Sequence, residues 1–369
     1  RLTPPQRAQY KAEAKIFRAM VMFDMVRLWG DFPVITTVAD DITSENIDEV
    51  YPQYFPKQNT ELEAYQQIEK DLLDAVLYAP DNTPGNKTLF SKSVARTLLA
   101  KIYAEKPLRD YTKVIQYCDE VKADGFDLVD DFSDLFGMNA AGTDAKMRNT
   151  KESILEAQFT SGAGNWCTWM FGRDLVNWNN NFTWAKWVTP SRDLISAFKQ
   201  EGDEVRFKES IVYYDCNWSN YYPSDNYPFM YKCRSANSSI IKYRYADVLL
   251  LKAEALIMQD TPDLEGAADI IDEVRDRAKL GALPTSVRSN KNVLLNALLK
   301  ERRLELAFEG QRWFDLVRLD KVEEVMNAVY AKDSGRKAQI YTFDQNSYRL
   351  PIPQSVIDAN DKIHQNPGY

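Results

Sequence analysis

The sequence is poor in the residues that most often build metal sites and nucleophilic catalytic groups. Its 369 residues include one histidine, His364, and four cysteines with no CxxC pair. This argues against a zinc site of the Cys/His type and leaves no candidate histidine base for a Ser/His/Asp triad. The chain is long enough to bury a large core without disulfides, although a Cys216–Cys233 bridge could form in an oxidising compartment.

Long apolar runs and a concentrated basic surface are also absent. No stretch of about 18 apolar residues occurs, so the sequence predicts no membrane-spanning helix. The 46 basic residues are outnumbered by 54 acidic residues, which gives a net charge of -8. No basic block stands out, and the charge therefore argues against nucleic acid as a partner. No signal sequence precedes the first amphipathic segment, so we expect a processed or truncated form of a longer protein.

What the chain has in abundance is helical periodicity. From Gln6 to Trp29 apolar residues recur at three- and four-residue steps, which predicts a long amphipathic helix. The same periodicity predicts helices over residues 60–77, 91–103, 111–123, 292–308 and 311–329, and a hairpin of two helices over 245–278. We therefore predict an all-α fold.

Two of the predicted helical pairs are alike. Residues 91–123 and 245–278 each have the length of a tetratricopeptide-like hairpin, about thirty residues, although the full repeat signature is absent from both. Another kind of antiparallel helical bundle would give the same pairs. The sequence thus favours a scaffold of tetratricopeptide-like hairpins and leaves the simpler bundle open.

Between these two hairpins the character of the sequence changes. From Gly125 to Lys242 helical periodicity is weak, and glycine, asparagine, aspartate and aromatic residues dominate. A stretch of this length is rarely structureless inside a compact domain. We therefore predict a loop-rich subdomain over residues 125–242 with one short helix, about Ser191 to Lys199. It is inserted between helical scaffolds over residues 1–124 and 243–369, and the three parts form one compact unit.

The middle region carries the strongest candidate for a functional surface. Six of the eight tryptophans lie between residues 165 and 231, interleaved with asparagines. The C–H face of a pyranose ring can rest on an indole or phenol ring, while its hydroxyl groups pair with planar amides. This pattern predicts a carbohydrate-binding surface, and we choose rings flanked by asparagine, glycine or serine as its members. They are Trp166, Trp169, Trp178, Trp184, Trp218 and Tyr221.

Other interpretations of this region stay open. Several of the rings could form the core of the loop-rich subdomain, as large aromatic residues usually do. Single-stranded nucleic acid also stacks on aromatic rings, but it requires a cationic groove, and the acidic composition of this chain does not indicate one. A structural calcium ion could bind among Asp130, Asp131 and Asp134. We expect no other metal and no cofactor.

Carboxylates on the helix predicted over residues 292–308 raise the question of a hydrolase. Glu301, Glu305 and Glu309 follow one another at single helical turns, and glycosidases use paired carboxylates. Arg302 and Arg303 lie beside them. We therefore interpret the set as a charged face that ties helices together.

Three blocks of the sequence resemble the SusD/RagB family of Bacteroidetes. The first, within residues 12–34, contains AEAKIFRA and DMVRLWGDFPV, and the second is RYADVLLLKAEA at residues 244–255. The third combines ERRLELAFEGQRWFDLVR at residues 301–318 with LPIPQ at 350–354 and QNPGY at 365–369. Together and in this order the blocks are specific, and they bracket almost the whole chain.

The resemblance implies a non-catalytic, glycan-capturing protein on the outer face of the outer membrane. Members of the family have a tetratricopeptide-like helical scaffold and a lipidated N-terminal cysteine. They act as lids on SusC-type TonB-dependent transporters and capture oligosaccharide or polysaccharide through loops and aromatic platforms that differ between members. Some carry peptides instead. We therefore expect glycan capture, with peptide capture as the alternative and a glycosidase as a third hypothesis.

The resemblance also implies that part of the family pattern is not represented. In the family the first block follows a considerable N-terminal stretch, whereas here it begins within the first dozen residues. We expect the lipid-bearing cysteine and early helices to be missing, and the list of site residues to be incomplete. Five arginines in these blocks are expected to anchor helix contacts and not ligand: Arg18, Arg27, Arg244, Arg302 and Arg312.

Overall fold

The described part of the chain is mostly helical. The computed structural model describes residues 2–160, 164–167, 188–216, 221–333 and 342–369. These residues form fifteen α-helices, four short β-strands and a few short 3₁₀ turns. The prediction of an all-α fold is confirmed. Within the same residues, no helix combines the length and the apolar character needed to cross a bilayer.

The N-terminal part consists of helices that pack in antiparallel pairs. They are α1 (Pro4–Trp29), α2 (Ile47–Val50), α3 (Glu61–Tyr78), α4 (Lys92–Ala104) and α5 (Tyr111–Ala123). Thr3 and Thr60 begin α1 and α3 with capping boxes, which satisfy amide groups that a helix start leaves without partners. Helix α1 ends at Gly30, whose φ of 71° suits glycine. Helix α1 packs on α3, and α4 packs on α5.

The C-terminal part repeats the hairpin and extends it with shorter helices. They are α9 (Tyr245–Met258), α10 (Leu264–Arg277), α11 (Thr285–Arg288), α12 (Lys291–Glu305), α13 (Arg312–Arg318), α14 (Val322–Lys332) and α15 (Gln354–Ala359). Helix α9 packs on α10, α12 and, across the molecule, α5. One hydrophobic core extends from Ala12 on α1 to Leu298 on α12. The structure therefore confirms the tetratricopeptide-like helical scaffold.

The single helix predicted over residues 311–329 is wrong, because the structure has two helices there. The sequence predicts a single helix over residues 311–329, but α13 ends at Arg318 and α14 begins at Val322. Asp320, in the connection, has a left-handed backbone with φ of 55°. A right-handed helix cannot continue through that conformation, so the chain turns there.

The middle region contains more regular structure than the sequence indicates. Its elements are α6 (Ser133–Phe136), β1 (Ser153–Ala157), α7 (Arg192–Glu201), α8 (Glu204–Ser210), β2 (Ile211–Tyr214), β3 (Tyr227–Met230) and β4 (Ile240–Arg244). Helix α7 confirms the short helix predicted near Ser191. Strand β1 pairs antiparallel with β4, and β2 pairs antiparallel with β3. Phe126, Ile154 and Leu155 join the core of the helical scaffold, so this part of the middle region is anchored there. The division into three segments stays a prediction.

The disulfide that the sequence allowed between Cys216 and Cys233 does not form. Both cysteines lie in the described part of the chain, and no bridge joins them. Cys216 follows the end of the β2–β3 hairpin at which Tyr214 pairs with Tyr227, whereas Cys233 follows Met230 at the opposite end. A strand of this length spans about 10 Å. Cysteines on opposite ends of it are too far apart, because a disulfide requires Cα atoms within about 7 Å.

Candidate functional site

Two of the six predicted site residues lie in the described part of the chain. They are Trp166 and Tyr221; Trp169, Trp178, Trp184 and Trp218 lie outside the described residues. The indole of Trp166 is 72% exposed, which suits a ring that receives a ligand. Tyr221 is half-buried. The two rings therefore differ in how much of their surface a ligand could reach.

Trp166 extends from a backbone that its neighbour fixes. Asn165 is buried, and its side-chain amide donates hydrogen bonds to the carbonyl oxygens of Ser235 at 3.2 Å and Ser238 at 2.7 Å. Its own backbone amide donates to the carbonyl of Ala236 at 2.8 Å. The side-chain amide of Asn165 thus stabilises the fold, although the sequence pattern predicted that the asparagines of this region bind sugar hydroxyl groups. The result is an exposed indole on an anchored segment.

A cavity of about 430 Å³ adjoins this segment, and we call it the central cavity. Its described lining comes from α1, the residues around α6, the start of the Trp166 segment, the β3–β4 connection and the turn between α12 and α13. The lining residues are Asp24, Arg27, Leu28, Phe136, Cys167, Met230, Lys232, Cys233, Ser239, Ile240, Ile241, Lys242, Phe308, Glu309, Gly310, Gln311 and Phe314. Cys167 belongs to this lining, so Trp166 lies next to it in the chain. The volume is in the range of small-ligand sites, about 300–1,000 Å³.

The polar groups of the central cavity include an ion pair that is partly open to solvent. The carboxylate of Asp24 accepts hydrogen bonds from Lys242 Nζ at 2.7 Å and from Arg27 Nη2 at 2.6 Å. Burial by itself raises the pKa of Asp24, but the charges of Lys242 and Arg27 outweigh it and lower the pKa overall. Arg27 is clamped between the rings of Phe23 and Phe314, with its Cζ 3.8 and 3.9 Å from their centroids. Asp24 therefore presents a fixed, charged acceptor to the cavity.

Lys232 and Glu309 form a second, more deeply buried pair in the same lining. Lys232 Nζ donates to Glu309 Oε1 at 2.6 Å and to the carbonyl oxygen of Glu305 at 2.8 Å. Burial lowers the pKa of Lys232 to about 8, although the charge of Glu309 opposes the shift. Together with three phenylalanines, the two ion pairs give the cavity both apolar surface and directional polar groups.

Tyr221 lies at a different site. Its hydroxyl donates to Asp333, and the guanidinium of Arg192 stacks on its ring with Cζ 3.8 Å from the centroid. Arg192 and Asp333 form an ion pair at 2.8 Å and line a second cavity of about 590 Å³, the charged cavity. The charged cavity is lined by Ser191, Arg192, Asp193, Ser196, Ala197, Gln200, Lys300, Arg303, Val329, Lys332 and Asp333. Arg192 belongs to α7 and Asp333 follows α14. Because Tyr221 contacts both residues, it connects the start of α7 to the end of α14.

The three carboxylates that raised the question of a hydrolase are bound by arginine and lysine. Glu305 accepts from Arg206 Nη1 at 2.9 Å and from Arg244 Nη1 at 2.5 Å, and it also pairs with Arg277. The neighbouring carboxylates are held in the same way: Glu301 pairs with Arg206 at 2.5 Å, and Glu309 pairs with Arg244 at 2.7 Å. We call this set the buried ion cluster. These contacts support the interpretation of a face that ties elements together.

The arginines of the three sequence blocks also contact protein groups, as predicted. Arg18 pairs with Asp71, Arg27 with Asp24, Arg244 with Glu305, and Arg302 with Asp247 and Asp315, while Arg312 donates to the carbonyl of Leu299. The prediction that these arginines anchor helix contacts is confirmed. Arg27 does more than that, because it also lines the central cavity.

The acidic loop considered for calcium is neutralised by lysines. Asp131 and Asp134 pair with Lys146 at 3.1 and 2.6 Å, and Asp130 pairs with Lys151 at 3.1 Å. Over the described ranges of the chain, no group of three or more histidine, cysteine or acidic side chains could hold a metal ion. A calcium ion at this loop stays an untested prediction.

Comparison with known sequences agrees with the resemblance seen in the three blocks. A sequence model of the SusD family matches residues 227–369, and a model described as starch-binding and associating with the outer membrane matches residues 2–104. The chain belongs to the SusD/RagB family. The matched ranges contain all three blocks, but they leave out residues 105–226, which include most of the middle region.

Individual relatives of this SusD-family chain cover nearly all of its length. The SusD-like protein P2 of Formosa agariphila is 28% identical over 97% of this chain and 74% of the relative. The starch-binding protein SusD of Bacteroides thetaiotaomicron is 23% identical over 100% of this chain and 74% of the relative. Among solved structures, a laminarin-binding SusD-like protein superposes with a TM-score of 0.72 and 25% identity, covering 100% of this chain and 80% of the other.

The central cavity is the candidate site that could not be predicted from the sequence. Asp24 and Arg27 come from the first block, Lys242 precedes the second, and Gln311 and Phe314 come from the third. From their sequence alone, these blocks are predicted to belong to the scaffold. No periodicity could have joined them, because the cavity forms only where α1 meets β4 and the turn before α13. The signal that did point toward it is Trp166.

Proposed function

We propose that this protein binds an oligosaccharide in the central cavity, with Trp166 as a stacking platform beside it. The observation that carries the proposal is the combination of a 72% exposed indole with a cavity of about 430 Å³ that the next residue in the chain, Cys167, lines. A sugar ring has an apolar face and a periphery of hydroxyl groups. It therefore requires aromatic surface together with fixed polar groups, and both occur here.

The polar groups of the cavity can form hydrogen bonds with the hydroxyl groups of a sugar. Asp24 keeps further acceptor capacity after its two cationic contacts, since an ionised carboxylate has about four acceptor positions. The side-chain amide of Gln311 accepts from Lys101 at 3.1 Å and donates to the carbonyl oxygen of Glu309 at 3.4 Å, and it keeps one further donor and one further acceptor position. The phenylalanine rings of Phe136, Phe308 and Phe314 supply apolar surface in the same lining. The charged cavity has no aromatic ring among its described lining residues, so it suits a sugar less well.

The wider role that we propose follows from family membership. The protein captures glycan at the cell surface without catalysis, is attached to the outer membrane by a lipid, and passes its cargo to a SusC-type TonB-dependent transporter. Relatives named for starch and for laminarin binding support a glucan as cargo. The buried ion cluster supports the absence of catalysis, since Glu301, Glu305 and Glu309 are all occupied by cations.

A ligand panel tests the proposal. We would measure binding of starch-derived and laminarin-derived oligosaccharides by calorimetry, with a peptide mixture and acidic oligosaccharides alongside. We expect one glycan class to bind and the Trp166→Ala variant to bind it about fivefold more weakly, since loss of a stacking contact costs about 1 kcal/mol. Asp24→Asn should also weaken binding, because it removes the charge of the fixed acceptor.

The matched control is Tyr10→Ala, which removes an aromatic ring of 52% exposure from α1 and none from the cavity lining. It should bind like the parent protein. Peptide binding without glycan binding would replace the proposal with peptide capture. If glycan binds and neither Trp166→Ala nor Asp24→Asn affects the affinity, the binding site lies outside the central cavity. Release of free sugar during the titration would indicate a glycosidase.

A further inference from the structure

Two chain segments far apart in sequence are joined at the wall of the central cavity. Residues 164–167 lie against residues 233–238 through the three hydrogen bonds that Asn165 donates to Ser235, Ala236 and Ser238. Asn165 is itself buried, so the junction is part of the packed structure. Each of the two segments contributes one cysteine, Cys167 and Cys233.

The side-chain oxygen of Asn165 brings these cysteines together. It accepts a hydrogen bond from the backbone amide of Cys167 at 3.1 Å and one from the thiol of Cys233 at 3.4 Å. Both cysteines line the central cavity, Cys233 as a buried residue and Cys167 as a partly exposed one. Groups that share one acceptor atom are close neighbours, and both cysteines belong to the lining of one cavity.

The two thiols differ in exposure and in the direction of their pKa shifts. The hydrogen bond with the Cys233 thiol lowers the pKa of the Cys167 thiol, which favours its thiolate form. The same hydrogen bond, together with burial, raises the pKa of the Cys233 thiol. A partly exposed thiol with a lowered pKa is the one that attacks an external oxidant, whereas a buried neighbour reacts second.

We propose that Cys167 and Cys233 are an oxidisable pair, and that a disulfide between them fastens the Trp166 segment to the wall of the central cavity. The oxidant is a small disulfide such as oxidised glutathione. The Cys167 thiolate attacks one sulfur of this disulfide, forms a mixed disulfide and expels one thiolate. Cys233 then loses its proton and attacks the Cys167 sulfur, which expels the second thiolate. Two protein thiols are oxidised to one disulfide, and one external disulfide is reduced to two thiols.

The remaining cysteines do not compete for this role. Cys118 is buried on α5, and burial raises the pKa of its thiol. Cys216 lies at the far end of the β2–β3 hairpin from Cys233. The expected bond therefore differs from the Cys216–Cys233 bridge that the sequence allowed. Its formation does not depend on the proposed glycan binding; only its effect on affinity does.

The test uses the full chain, first reduced and then incubated with oxidised glutathione at several ratios to the reduced form. After remaining thiols are blocked, non-reducing digestion and mass spectrometry should find a peptide pair that joins Cys167 to Cys233, two hydrogen atoms lighter than the sum of the peptides. Cys167→Ser should abolish the pair, and the matched control Cys118→Ser should keep it. The melting temperature should rise on oxidation of the parent protein but not of Cys167→Ser.

Three outcomes would overturn the proposal. One is glutathione attached stably to Cys167 with no internal bond, another is a bridge from Cys233 to Cys216, and the third is no reaction while Cys167 remains accessible to a thiol-blocking reagent. The covalent masses and the melting temperature are both measured without ligand, so the result stands whether or not a glycan binds. If the pair forms and oligosaccharide binding is present, oxidation should change the affinity of the parent protein and leave that of Cys167→Ser unchanged.

Discussion

The helical scaffold and the middle region are stabilised in different ways. In the scaffold, capping residues begin the helices and apolar side chains such as Leu98 and Leu250 lie fully buried in one core. The described middle region has short strands and loops, and much of its attachment is ionic. Arg206 on α8 reaches Glu301 and Glu305 on α12 at 2.5 and 2.9 Å. The individual helices of the scaffold are therefore predictable from local sequence preferences, whereas the ionic attachment of the middle region depends on partners about a hundred residues away.

The largest expected effect comes from Glu305→Gln, which removes the charge shared by Arg206, Arg244 and Arg277. Three buried guanidinium groups then lose their common partner, and breaking a buried pair in this way costs about 3–5 kcal/mol. Chemical denaturation would measure the change in the free energy of unfolding. The control, Glu324→Gln, breaks a solvent-exposed pair with Lys321 and should cost no more than about 1 kcal/mol. Equal costs for the two variants would show that the ionic attachment contributes little.

Leu98→Ala tests the scaffold itself. Leu98 on α4 is 0% exposed, so truncation removes buried surface and leaves a cavity, at a cost of about 2–5 kcal/mol. Leu73 on α3 is 44% exposed, and Leu73→Ala should change the free energy of unfolding by about 0.5 kcal/mol or less. The same denaturation assay compares the two. A small effect for Leu98→Ala would mean that the core relaxes around the truncated side chain.

Acid should weaken a contact within the scaffold. Asp247 on α9 pairs with Lys101 on α4 at 2.6 Å. Burial by itself raises the pKa of Asp247, but the charges of Lys101 and Arg302 outweigh it and hold the pKa well below its usual value. The stabilisation is thus complete above the unfolded pKa of about 4 and is lost as the pH falls below it. The stability difference between the parent protein and Asp247→Asn should shrink as the pH falls from 5 to 3. A pH-independent difference would contradict this.

The smallest expected effect is that of Tyr221→Phe, which keeps the ring and removes its hydrogen bond to Asp333. We expect a loss of about 1 kcal/mol in the free energy of unfolding, the usual contribution of one hydrogen bond. The control Tyr54→Phe removes an exposed hydroxyl that donates to the carbonyl of Asp40 at 3.0 Å, and it should have less effect. A loss of ligand affinity without a loss of stability would instead indicate that Tyr221 contacts the ligand.

The sequence by itself determined most of the helices, the family and a set of six candidate rings. Periodicity and caps are local properties, so α1, α3, α4 and α5 were predictable within a few residues, and the three blocks identified the SusD/RagB family. Composition and flanking residues made Trp166 one of six candidate rings, and the structure shows that it is exposed. Periodicity could not show the break between α13 and α14, because Asp320 departs from the helix through its backbone and not through its side-chain pattern.

Only the tertiary structure decided which distant residues meet. Sequence proximity suggested Cys216 as the partner of Cys233, but the strand pairing of β2 with β3 separates them, and Asn165 brings Cys167 to Cys233 instead. The central cavity likewise combines residues from α1, β4 and the turn before α13. Such neighbours result from packing across the whole chain, which leaves no periodic trace in the sequence. Asn165 is an example. Its residue type predicted a contact with a ligand, but in the structure it is buried and its hydrogen bonds join two segments of the protein.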